Sequence, residues 1–271
     1  MNRLWIYLFI VLFSVGCSAE EEDTPCESFS APVPCEWAIT EMAYMNMPRP
    51  ADSYNFPVCP YTEEWFKPDM KIKSYQIPEC VLKKMSTQAV IQAVLEYPDL
   101  FLTPFLNHMF GDEEYFENYF RYEWSSRVEL FKRKDAGAAL LERLRLMNPF
   151  PVPVTHPSEL LEWLMGHRIF LSQLKNAQKR EVVEICLKND ELRPIELNRF
   201  RCTTFVLLGR TMLAAKYDPL IKAMKDDDEL KYFITGSIIA EGKWYRGYGS
   251  IEDDEIIQSI KGLAKKYINQ K

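Results

Sequence analysis

The chain has 271 residues, with 33 basic against 39 acidic side chains and a formal net charge of −6. That acidic balance, without any basic block, points away from nucleic acid as a partner. A hydrophobic share of 47% and a charged share of 27% are those of a packed globular protein and exclude a disordered or fibrous chain.

Arg3 is the only charge among the first nineteen residues, and an apolar run follows from Leu4 to Phe13. The run is too short for a hydrocarbon core, which needs roughly twenty helical residues. It has instead the layout of a secretory signal over residues 1–16. Ser14-Val15-Gly16-Cys17 resembles the bacterial lipobox, in which the cysteine becomes lipid-linked; Ser14 stands where the pattern usually has leucine. The resemblance implies lipid attachment at Cys17 and a membrane contact through that lipid; the plainer reading is an ordinary signal with an incidental cysteine. Residues 17–24 then form an acidic tether. Its cluster of Glu20, Glu21, Glu22 and Asp23 resembles the surface-export signal of Bacteroidetes lipoproteins, although a short acidic run is also what a solvated spacer looks like. The expected location is the outer membrane, surface-exposed, with a periplasm-facing orientation as the alternative.

Setting Cys17 aside leaves Cys26, Cys35, Cys59, Cys80, Cys186 and Cys202. An even remainder in an exported chain allows up to three disulfides in any of fifteen connectivities, and buried thiols are the other outcome. None forms a CxxC pair, which argues against a zinc ribbon or a thioredoxin-like site.

Residues 25–77 change character. Nine prolines fall from Thr24 through Pro78, counting Pro78 itself, removing backbone donors and discouraging helix. Trp37, Tyr44, Tyr54, Phe56, Tyr61, Trp65 and Phe66 make the stretch too aromatic for a plain linker. The expectation is an irregular strap laid on the main body and pinned by disulfides, with an aromatic-lined ligand strap as the sharper alternative.

From residue 78 to 271 the pattern is α-helical, so the fold class is mainly α: the Pro- and aromatic-rich strap followed by a multi-helix bundle or short helical array. Ser86 caps a helix with Val90, Ile91, Val94 and Leu95 on one face. Pro98 interrupts it, Gly111 stops a second helix, and Asp112 to Glu114 open a third whose aromatics run to Trp124. Ser125 or Ser126 caps a further turn, and Asp135 starts a helix carrying Leu140, Leu141, Leu144 and Met147. Pro149, Pro151, Pro153 and Pro157 separate two halves, 78–148 and 158–271, with His156 in the connector. In the second half, Leu160, Leu161, Leu164 and Phe170 form one inner face. Val182, Val183, Cys186 and Leu187 form the next, and the longest helix is expected from Ile195 to about Tyr217. If those last two helices form a hairpin, Cys186 faces Cys202 across it; otherwise both are buried thiols. Ser250 and Asp253 open the final helix, with Ile256, Ile257, Ile260 and Leu263 inward.

Catalytic signatures are sparse. His108, His156 and His167 include no i, i+4 pair, so the two-histidine zinc helix is absent and no metal or cofactor is expected. Ser172-Gln173-Leu174-Lys175 has the S-x-x-K spacing without its companion elements. Asp226 to Asp228 reads as a solvated turn. The candidate ligand loop is Trp244, Tyr245, Arg246 and Tyr248, where rings and a cation on a glycine-flanked loop suit a sugar or peptide; rings packed back on the helices are the simpler alternative.

From about Ile77 onward the chain is similar to helical lipoproteins of Bacteroidetes, a family with no established activity. Gln76-Ile77-Pro78, Ser86-Thr87, Glu96-Tyr97-Pro98, Lys132 to Ala136 and Ile260 to Tyr267 carry the likeness. It implies the envelope location and the helical body, and it transfers no functional residue. The function expected is a lipid-anchored, non-catalytic binding or scaffolding module for a protein, peptide or glycan partner. The alternative is an envelope hydrolase whose carboxylates are dispersed in sequence.

Overall fold

The computed structural model describes residues 33–36, 46–59, 62–67, 76–96, 125–148, 156–192, 201–235 and 255–270. Among them are eleven α-helices, one 3-10 turn (Glu64–Phe66) and no strand. The protein is mainly α, as its 3.6-residue periodicity predicts.

α1 is a single turn, Glu79–Leu82, and α2 spans Thr87–Leu95. Ser86 caps α2 as expected: its backbone is extended and its hydroxyl accepts from the Ala89 N–H. Thr87 and every residue from Ala89 to Leu95 are buried, so α2 is an internal helix, not an amphipathic one with a wet face. α3 (Ser125–Lys132) packs beside it. Ser125 turns its hydroxyl outward to accept the Ile77 N–H at 2.8 Å. Arg133, just past α3, donates to the carbonyls of Leu82 (2.7 Å) and Met85 (3.1 Å), satisfying the end of α1.

α4 covers Ala136–Leu146. Asp135 sits at its N-cap position without capping it; the carboxylate accepts from the Thr87 hydroxyl at 2.8 Å and ties α4 to α2. α5 is His156–Met165. His156 is therefore its first residue and not part of a connector. Pro157 is tolerated in the first turn, where its missing N–H has no intrahelical partner to lose. The single inner face expected from Leu160 to Phe170 is broken: Gly166 and His167 end α5, and Phe170 lies on α6, Arg168–Ser172.

α7 runs Asn176–Leu192 and, at 17 residues, is the longest described helix. α8, Arg201–Ala214, packs against α5, α6, α7 and three later helices: α9 (Asp218–Asp226), α10 (Asp228–Thr235) and α11 (Glu255–Ile268). α8 ends at Ala214, short of the expected Tyr217. Lys216 has φ 56° and the Tyr217 N–H reaches back to Met212, a Schellman ending. Lys179 from α7 donates to the Ala214 carbonyl at 3.1 Å and completes that end. Asp227 accepts from the Leu230 N–H and caps α10, so one member of the acidic triplet has a structural task.

One hydrophobic core links both halves of the chain, from Met47 to Tyr267. Residues 46–59 contribute to it without forming a helix. Tyr54, Phe56 and Val58 are buried while Asn55, Pro57 and Cys59 are less so, the alternation of an extended chain on a surface. Met47 is also buried, and Tyr54 and Phe56 meet edge to face at 5.3 Å. The rest of the expected 25–77 strap lies mostly outside the described residues. Cys35 and Cys59 are disulfide-bonded with Cα atoms 5.5 Å apart across 24 residues. Closing a loop of that size stabilises the fold by about 3 kcal/mol.

Candidate functional site

Cys17, Glu20, Glu21, Glu22, Asp23, Cys26, Trp244, Tyr245, Arg246 and Tyr248 lie outside the described residues, as does the side chain of Cys202. The remaining cysteines are Cys35 and Cys59, bridged to each other, Cys80, also disulfide-bonded, and Cys186. Cys186 is a buried thiol, so the Cys186–Cys202 bridge across the α7–α8 pair does not form. The two helices do pack together, but Cys186 shares the inward stripe of Val182 and Val183 and points into apolar core. Ser172 donates to the Ile169 carbonyl and Lys175 is exposed, so the S-x-x-K spacing builds no nucleophile–base pair.

The polar groups that the fold does bring together lie between α5 and α8. Glu159 and Glu162 are one helical turn apart and both buried. The Thr204 hydroxyl lies 3.0 Å from Glu162 Oε1 and 2.8 Å from Oε2, and Thr203 donates to Oε2 at 3.0 Å. A buried threonine in a helix usually returns its hydroxyl to its own backbone, as Thr211 does to Leu207 at 2.7 Å. Thr203 and Thr204 reach across to α5 instead, because a carboxylate in low dielectric needs donors. Further along α8, Arg210 is buried and donates to the Ile234 carbonyl at 2.9 Å.

His167 follows α5 and stands at the N-cap of α6. Its Nδ1 accepts from the Ile169 N–H at 3.2 Å, which leaves the ring proton on Nε2. Phe131, Trp163 and Phe170 surround the imidazole, with centroids at 4.7, 5.9 and 5.8 Å. Arg127 stacks its guanidinium 4.9 Å from the Phe131 ring. The contacts that define the seam are those of Glu162 with Thr203 and Thr204, while His167, Arg127 and Arg210 are buried polar groups held by partners of their own. Among the described residues, no three His, Cys, Asp or Glu side chains have metal-holding geometry.

Sequence reasoning missed this seam. Glu159 and Glu162 flank Leu160 and Leu161 and look like the wet side of an amphipathic helix. Instead every residue from 157 to 166 is buried, because α5 is covered by α2, α4, α6 and α8. The usable signal was Thr203-Thr204, a hydroxyl pair inside an otherwise apolar helix.

A second polar knot joins residues 46–59 to the body. Arg49 donates to Glu96 Oε1 at 2.9 Å and Oε2 at 3.1 Å, and to the Tyr54 carbonyl at 3.0 Å. Arg143 of α4 answers from the other side, donating to the Pro48 carbonyl at 3.1 Å and to Gln88. Burial holds the Arg143 guanidinium below its ordinary pKa, partly offset by Glu96 and Glu142. Burial also pushes Tyr54 up to about 12.

The chain matches no protein-family model, no curated protein and no solved structure. No described helix is long and apolar enough to cross a membrane.

Proposed function

We propose that the chain is a lipid-anchored protein of the outer membrane, attached through Cys17, whose helical body is a non-catalytic binding or scaffolding module for a protein, peptide or glycan. The Cys35–Cys59 disulfide carries this reading, because such bridges persist in exported compartments and are rare where thiols are kept reduced. The leader and the acidic cluster after Cys17 agree with it. The continuous core from Met47 to Tyr267 supports a single body presented on a tether. Mass spectrometry of the mature protein tests the anchor: the expected N-terminal peptide begins at a diacylglycerol-modified Cys17. An unmodified cysteine there ends the proposal. Protease treatment of intact cells tests the outward orientation and is expected to degrade the protein.

The buried Glu159–Glu162 pair favours a second reading, an envelope hydrolase. Buried carboxylates one helical turn apart are groups that general acid–base chemistry draws on. A screen against envelope glycans and peptides separates the two readings. Turnover that disappears in both Glu159→Gln and Glu162→Gln, with the fold retained, establishes the hydrolase and overturns the non-catalytic module.

A further inference from the structure

We infer that docking of residues 46–59 onto α2 is a redox-closed clasp: the Cys35–Cys59 bridge decides whether this segment covers the helix or releases it. Every residue of α2 except Gln88 is buried, and the Glu96 side chain at its end is 2% exposed with Arg49 of the segment as its ion-pair partner. Release of the segment therefore uncovers apolar surface and strands a carboxylate.

The attachment sets four buried apolar side chains, Met47, Tyr54, Phe56 and Val58, against polar contacts that secondary structure does not support. Residues 54–58 form no helix or strand, and the Pro48 and Tyr54 carbonyls are met by arginine side chains. Gln92, fully buried on α2 one turn before Glu96, donates to Glu96, but its own Oε1 has no donor among the described residues. Opening admits water to that oxygen, which favours release. Asp52 adds two contacts at the α2 N-terminus, to the Ser86 N–H and hydroxyl, at an exposed position where water competes. The bridge tips this balance by limiting how far the segment can wander once it lets go.

The redox step balances with a disulfide oxidant. The Cys35 and Cys59 thiols give up two electrons and two protons, and the partner disulfide, such as oxidised glutathione, becomes two thiols. The inference draws on the exported-location reading only for where the bridge is made; the following test runs on the purified protein and is blind to location.

The experiment is amide hydrogen exchange on the full chain, oxidised, compared with the Cys35→Ser/Cys59→Ser variant, which leaves the Cys80 disulfide alone. Exchange in residues 46–59 and α2 is expected to accelerate roughly a hundredfold, the factor that closing a loop of this size supplies, while α7 and α8 stay protected. Arg49→Met in the oxidised chain is expected to speed the same amides by a smaller factor. Unchanged protection of 46–59 and α2 in the serine variant overturns the clasp. So does uniform loss of protection across all helices, which makes the bridge a global staple and not a local one.

Discussion

Arg49 holds both carboxylate oxygens of Glu96, a partner 47 residues away whose side chain is 2% exposed while that of Arg49 is 23% exposed. The asymmetry sets the energetics. Truncating the arginine leaves a buried carboxylate with only the Gln92 amide and the nearby Arg143 charge to answer it, which is worse than removing both partners. Arg49→Ala is expected to lose about 3 kcal/mol, the low end for breaking a buried pair, because the arginine side is partly solvated. Arg49→Met/Glu96→Leu is expected to recover most of that loss. Urea midpoints for the two variants check the order; equal destabilisation rejects it.

Alkaline pH attacks the same segment through Tyr54. Burial raises its pKa to about 12, so the folded state keeps the phenol neutral where an unfolded chain, near 10, begins to ionise. The stabilising contribution is complete below pH 10 and is lost as pH rises through about 12. Denaturant unfolding at pH 8, 10 and 12 is expected to show that decline, and Tyr54→Phe is expected to flatten it. Tyr217 and Tyr267, both raised by burial, leave a residual alkaline loss in the variant.

Gly209 on α8 packs directly against Ile234 of α10. A Cβ there would sit 2.6 Å from Ile234 Cγ1 and 2.8 Å from Cδ1, and Ile234 is fully buried. Overpacking of about 1–3 kcal/mol competes with a helix-propensity gain of about 1 kcal/mol. Gly209→Ala is therefore expected to destabilise by about 1 kcal/mol. In an Ile234→Ala background the same change is expected to be neutral or favourable, a coupling that a double-mutant cycle measures.

Lys216 offers the opposite opportunity. It takes the left-handed conformation at the end of α8 without being glycine, at a strain of roughly 1 kcal/mol. Lys216→Gly is expected to raise the thermal midpoint by a few degrees, since the side chain is exposed and the cap hydrogen bonds are backbone ones. A fall in the midpoint contradicts the Schellman assignment.

Elements governed by local chemistry were legible in the sequence. Ser86 caps α2, Leu140, Leu141 and Leu144 face inward on α4, and Ile256, Ile257 and Ile260 do so on α11. Properties set by neighbours were not. The break at Gly166-His167 depends on an imidazole accepting a backbone N–H, and Asp135 caps nothing because Thr87 claims its carboxylate. The Glu159–Glu162 seam was invisible because hydrophobic periodicity assumes one wet face, which α5 lacks. The Cys186 thiol shows the same limit, since adjacent helices do not fix which way a sulfur points.

The seam makes its own prediction. Glu162 is held by Thr203 and Thr204, and the Thr204 hydroxyl lies within reach of both oxygens. Thr204→Val keeps the shape and removes a donor to a buried carboxylate, with an expected loss of about 2 kcal/mol. Thr211→Val is the matched control, because that hydroxyl bonds only the Leu207 carbonyl within α8; its expected loss is under about 1 kcal/mol. In a Glu162→Leu background the valine at 204 is expected to become neutral, since no carboxylate remains to serve. Calorimetric midpoints across these variants decide the point: if Thr204→Val and Thr211→Val weaken the fold equally, the seam is ordinary helix packing and Glu162 draws nothing from its hydroxyl partners.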